Sequence, residues 1–158
     1  MRTPAHSLPL GAGLKATWVS LLLASLIACT TGTHLPNAIG MCPGVRSIEQ
    51  VKQQEGYSYY AISPGGGWSG ENPQAREHYL KGLVFESAAI LTVAQSPTRP
   101  EYHFVACDYV GPEPLAFLRL AKHFPDRPRA VGPNWTAQDY CEADSVEECQ
   151  FTVLNPLP

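Results

Sequence analysis

The chain has 158 residues, with 11 basic and 14 acidic side chains, five cysteines, 15 prolines and 13 glycines. That length suits one domain with a short leader, and it is enough to bury a real core. A net charge of −3 argues against a nucleic-acid partner and against electrostatic attachment to anionic lipid.

Residues 1–28 fall into three parts. Met1 to Lys15 carries Arg2 and Lys15 and no acidic residue, Trp18 to Ala28 is an apolar core, and the small Ala28 precedes Cys29. The core has signal-peptide length and falls short of the roughly 20 apolar residues of a membrane span. A plain secretory site places small residues at −3 and −1, whereas here −3 is Leu26. Leu26-Ile27-Ala28-Cys29 resembles the lipobox of bacterial lipoproteins. The resemblance implies a diacylated Cys29 sulfur, cleavage just before it and acylation of the new amino group. Two or three acyl chains meet the requirement for stable anchoring, since each buried methylene contributes about 0.8 kcal/mol. Thr30 stands where Asp would imply inner-membrane retention, so the resemblance points to the outer membrane, facing the periplasm. Loss of the leader removes Arg2 and Lys15, leaving 9 basic against 14 acidic side chains, a net charge of −5.

With Cys29 lipidated, Cys42, Cys107, Cys141 and Cys149 remain. An even number in a small exported domain reads as two disulfides, with three possible connectivities. No two of the four stand at Cys-x-x-Cys spacing, which argues against redox and zinc motifs. Cys42 and Cys149 bracket the folded part, so Cys42–Cys149 with Cys107–Cys141 is the preferred pairing. Cys42–Cys107 with Cys141–Cys149 is the alternative.

Residues 29–41 read as a lipidated tether, small, polar and broken by Gly and Pro, and residues 42–158 as a single domain. Ser47 to Lys52 reads as a strand or one helical turn, with strand preferred, Glu55-Gly56 as a turn, and Tyr57 to Ser63 as an aromatic, β-favouring strand. Pro64 to Gly70 is expected to be a flexible loop displaying Trp68. Asn72-Pro73 has a helix-start signature, so a short helix or turn is expected over 72–81, which Gly82 could end. Leu83 to Gln95 is the longest apolar run after the leader, and its β-branched tail favours a buried strand.

Ser96 to Pro100 breaks the chain, and Glu101 to Val110 is a second strong strand, so the two form an antiparallel hairpin. Tyr102, Phe104, Ala106 and Asp108 should point to one face, and His103, Val105, Cys107 and Tyr109 to the other. Leu115 to Phe124 fits both strand and helix, and its neighbours favour strand. Trp135 to Cys141 and Cys149 to Leu154 are read as the last strands, separated by an acidic turn. The expected fold is mainly β, a small antiparallel sheet or sandwich with at most one short helix and two disulfides.

Cys42-Pro43, Gly67-Trp68-Ser69-Gly70, Ala106-Cys107-Asp108-Tyr109, Trp135 and the stretch Cys141 to Phe151 form a spaced pattern. It resembles an uncharacterised family of small, four-cysteine exported proteins of Gram-negative bacteria. That likeness implies a compact, mostly β, disulfide-bonded envelope protein and no known activity.

No Gly-x-Ser-x-Gly, His-Glu-x-x-His or Walker loop is present. Gly65-Gly66-Gly67 lacks the Lys-Ser/Thr that cradles phosphate, and the histidines are scattered. His103 and Cys107 could form a nucleophile pair only if Cys107 were free. Glu142, Asp144, Glu147 and Glu148 lack the spacing of a calcium loop and read as a solvated segment. No cofactor or metal is expected. Tyr59, Tyr60, Trp68 and Trp135 are the candidate partner-binding residues, because Tyr and Trp dominate binding hot spots. The functional expectation is a lipid-anchored, non-catalytic periplasmic protein that contacts another protein, as an envelope or secretion-system accessory. An immunity or inhibitor lipoprotein acting on a wall-degrading enzyme, through the 63–70 loop and the acidic face, is the alternative.

Overall fold

A computed structural model describes residues 37–62 and 66–154. The leader, Cys29, the tether before Asn37 and residues 63–65 lie outside the described residues.

Among the described residues ten strands follow in order: β1 (Ala38–Gly40), β2 (Ile48–Lys52), β3 (Tyr57–Ala61), β4 (Trp68–Asn72), β5 (Val84–Val93), β6 (Tyr102–Val110), β7 (Phe117–Phe124), β8 (Arg129–Ala130), β9 (Tyr140–Glu142) and β10 (Phe151–Val153). One short helix, α1 (Tyr79–Gly82), and two 3-10 turns, Val45–Ser47 and Val146–Glu148, join them. The strands make two antiparallel sheets, a seven-stranded one in the order β2-β3-β4-β7-β6-β5-β9 and a three-stranded one in the order β1-β10-β8. The mainly β reading holds, with one short helix and two disulfides.

The β5–β6 hairpin is the spine of the large sheet. Val93 pairs with Tyr102, and Ser96 and Arg99 exchange backbone hydrogen bonds of 2.8 and 3.2 Å around Pro97-Thr98. Near the far end Glu86 and Ser87 crowd opposite Asp108 in a β-bulge, which sharpens the local twist. Phe117–Phe124 is a strand, as its neighbours suggested, because eight residues pair in register with β6 from His103 to Val110. Gly56 closes the β2–β3 turn at φ 61°, and a Cβ there would meet the Asn72 carbonyl oxygen at 2.0 Å.

Alternation sends Tyr59, Ala61, Trp68, Ile90, Val105, Cys107, Tyr109, Leu118 and Leu120 to one face, where they join a single core. The small sheet and the α1 segment lie over that face. Phe151 of β10 meets Phe124 edge to face at 5.7 Å, and Gln50 of β2 donates to the Glu77 carbonyl at 2.9 Å. The Tyr109 hydroxyl donates to the Pro43 carbonyl at 2.5 Å, tying the chain after β1 to the C-terminal end of β6.

Burial, with a smaller contribution from Asp108, pushes the Tyr109 hydroxyl well above its ordinary value of 10.0. The folded state therefore holds the phenolic proton more tightly than the unfolded chain. The associated stability is complete below pH 10 and is lost as pH rises through the folded-state value. Tyr109→Phe should cost about 1 kcal/mol at pH 8 by removing the Pro43 bond. It should also flatten the fall in urea midpoint between pH 9 and pH 11. An unchanged pH slope would show that Tyr109 does not carry it.

The structure departs from the sequence reading in five places. The cysteines pair as Cys42–Cys107 and Cys141–Cys149, with Cα separations of 5.9 and 5.8 Å, not as Cys42–Cys149 and Cys107–Cys141. The two ends of the domain do meet, but through β1–β10 backbone pairing, so no bridge is needed there. The Val146–Glu148 turn folds Cys149 back onto its neighbour Cys141.

The end of the expected tether, Ala38–Gly40, is strand β1, because Gly40 lets the backbone lie against the Phe151 ring. Trp68 is not on an exposed loop. It opens β4 and is 2% exposed.

The helix is shorter and later than expected, at Tyr79–Gly82 rather than from Asn72. Asn72 is fully buried and clamps β4 to the start of β7. Its Nδ2 donates to the carbonyls of Leu115 and Phe117, both at 2.9 Å, and its Oδ1 accepts from the Gln74 N–H. Lastly, only Tyr140–Glu142 of the expected 135–141 strand is regular, with Trp135 making one isolated bridge to Cys141.

Candidate functional site

The other face of the seven-stranded sheet carries the features of interest. One row of paired residues runs across it from Glu49 through Tyr60, Ser69, Ala121, Ala106 and Ala89 to Tyr140. At about 4.8 Å per strand, Tyr60 and Tyr140 stand roughly 24 Å apart, with small side chains between them. Phe104 and His123 border this row on one side, and with Tyr102 they form a ring cluster with centroids 5.1 to 6.0 Å apart. Arg99 lies 5.3 Å over the Tyr102 ring.

On the other side, Arg119 grips Asp108 with two hydrogen bonds of 2.7 Å. The Asp108 hydrogen bond raises the Arg119 pKa further, so the guanidinium stays charged at any physiological pH. Most of the exposed large hydrophobic residues fall on this face: Val51, Tyr60, Val84, Leu91, Phe117 and Tyr140. A solvated sheet face normally carries polar residues at such positions. Large apolar side chains exposed together on one sheet face mark a candidate interaction site.

At the bulge end, two concavities of about 520 and 420 Å³ share Glu86 and Val110. The first is walled by Glu86, Glu142, Asp144 and Glu148, with Asn134 beside them. The second runs past Phe117 to the Asp108–Arg119 pair.

The candidate binding residues scatter. Tyr60 is on the outer face and 46% exposed, whereas Tyr59 is 1% exposed and, like Trp68, belongs to the core. Trp135 is half-buried, and its indole N–H donates to the Gln150 carbonyl at 2.8 Å, a structural contact. Of the four, the structure therefore leaves Tyr60 as the one displayed on this sheet face. Cys107 is bridged to Cys42, so it cannot pair with His103 as a nucleophile; the His103 ring bonds Thr92 at 2.9 Å instead. Among the described residues no group of three or more His, Cys, Asp or Glu is placed to hold a metal, and no helix is long and apolar enough to cross a membrane.

Sequence reasoning missed Phe104, His123, Val84, Phe117 and Tyr140 as surface candidates. A signal was available in β6, whose outward positions, Asp108 apart, are Tyr102, Phe104, Ala106 and Val110, nearly as apolar as its inward ones. A strand apolar on both faces implies two covered faces or one exposed apolar one.

The family model described as "Protein of unknown function (DUF3757)" matches residues 35–152. The chain belongs to this family. The family span takes in β1 at one end and reaches β10 at the other, so it covers both sheets and both disulfides. The expected membership of an uncharacterised family is met at that level; the span begins beyond Cys29. No curated protein and no solved structure matches the chain.

Proposed function

We propose that this family member is a lipid-anchored periplasmic protein that works by binding another protein rather than by catalysis. The observation that carries this reading is the outer face of the large sheet. It presents Tyr60, Phe104, His123, Leu91 and Tyr140 around a floor of small residues. Tyr and other aromatic side chains provide most of the energy in protein interfaces. The disulfide that takes up Cys107 supports a non-catalytic role, since it removes a thiol that could serve as a nucleophile. The leader and Cys29 supply the anchor.

The accessory role and the inhibitor role share this reading. The acidic wall of Glu86, Glu142, Asp144 and Glu148 favours a basic partner, and hence the inhibitor version. Trp68 takes no part in it, since its side chain is buried in the core.

Cys29→Ser should move the protein from the membrane to the soluble fraction and carry its partner with it. Retention in the membrane fraction would refute the lipid anchor. Loss of the partner from the soluble variant would tie binding to the membrane rather than to the domain.

A further inference from the structure

We infer that the bulge end of the outer face is a docking groove for a basic, amphipathic segment of a partner protein. The inference rests on the binding reading above and assigns the partner's chemistry. Val84, Val110 and Phe117 stand in register on β5, β6 and β7 and form an apolar row about 10 Å long. Val84 is 60% exposed and Phe117 45%, so the row is open to solvent. Two valines and a phenylalanine side by side on a wet sheet face cost free energy unless something covers them.

Charge says what covers them. Glu86 rises beside the row from the bulge, which places it between the two concavities. Glu142, Asp144 and Glu148 complete the wall, brought there by β9 and by the turn that the Cys141–Cys149 bridge closes. None of the four carboxylates makes an ion pair among the described residues; Glu148 has only a long 3.5 Å contact from the Asn134 amide. Arg119, which lines the second concavity, is already held by Asp108. The groove thus offers an apolar floor and an uncompensated negative wall.

A bare divalent cation does not match it, since the carboxylates are not placed to converge on a metal. A small amine would leave the apolar row uncovered. A polypeptide segment with one or two apolar side chains flanked by Lys or Arg satisfies both features, and the acidic wall would steer its approach. The bulge has a part in this: with a regular register, Glu86 and Ser87 would take opposite faces.

The test uses the full, membrane-anchored chain in cells. A photo-crosslinking residue is placed at Phe117, in the groove, and separately at Phe104, in the aromatic part of the same face. The expected result at Phe117 is an adduct to a protein whose crosslinked peptide carries Lys or Arg. Glu86→Gln combined with Glu142→Gln should lower its yield about tenfold. An adduct at Phe104 with none at Phe117 would overturn the groove and leave the binding reading standing, whereas no adduct at either would overturn both. A crosslinked peptide without basic residues, a lipid or glycan adduct, or a yield unchanged in the double variant would each overturn the groove. Circular dichroism of the double variant, which touches only surface carboxylates, checks that the fold is intact.

Discussion

Replacing both Cys42 and Cys107 by alanine should lower the unfolding free energy by about 4 kcal/mol, the value the loop-entropy relation gives for a separation of 65 residues. For a domain whose net stability is of the order of 5–15 kcal/mol, that is a large share. The bridge joins the segment after β1 to the centre of β6 and is fully buried at both ends. Its loss also leaves a small void beside Tyr109 and Leu120 and frees the Pro43 carbonyl contact to fluctuate. The Cys141–Cys149 bridge spans only 8 residues, so its removal by the same double substitution should cost about 2.5 kcal/mol. Urea unfolding of a leaderless, non-lipidated form compares the two. A larger cost at the short bridge would contradict this pairing and the reasoning behind it.

Trp68→Ala should be nearly as damaging, at about 3–5 kcal/mol. Trp68 heads β4, pairs with Ala61 of β3 and is among the largest fully buried side chains. Truncation would open a cavity in the layer between the sheets, where close packing cannot relax to fill it. Tyr60→Ala, one residue before the partner of Trp68 but on the other face, should change stability by less than about 1 kcal/mol. Urea midpoints and near-ultraviolet circular dichroism check both. Full stability in Trp68→Ala would mean that the indole is at the surface, contrary to the fold.

Much of the fold was legible because local chemistry and tertiary demand agree in it. Tyr57 to Ala61, Val84 to Val93 and Tyr102 to Val110 are β-rich runs that the sheet uses as strands. The two faces of β6 follow from alternation alone, with Val105, Cys107 and Tyr109 inward. The failures have a common cause. Trp68 was read from its glycine neighbours, but Gly70 serves β4 by permitting close approach to the Arg119 carbonyl, where a Cβ would stand at 2.0 Å. Asn72-Pro73 looked like a helix start, yet the Asn72 amide answers two carbonyls more than 40 residues away. The disulfides were paired by position along the chain, which contains no information about the 3-10 turn at Val146–Glu148.

The candidate site was less legible than the fold. Tyr60 was visible as an aromatic residue in a strand, but nothing local separates it from its buried neighbour Tyr59 except the phase of the alternation. The outer row from Tyr60 to Tyr140 is assembled from six strands that are far apart in sequence. Only the strand order brings Ala121, Ala106 and Ala89 together between the two tyrosines. The acidic residues near the C-terminal end were noted as a solvated turn. Their meeting with Glu86 depends on the β5–β9 pairing, which no periodicity reveals.

The most direct test is where a partner touches the anchored protein. A photo-crosslinking residue at Phe104, on the outer face, is compared in cells with one at Arg129, an exposed position on β8 of the small sheet. The expected result is a protein adduct at Phe104 and none at Arg129. Adducts at Arg129 with none at Phe104 or Phe117, or at none of the three positions, would contradict binding through the outer face.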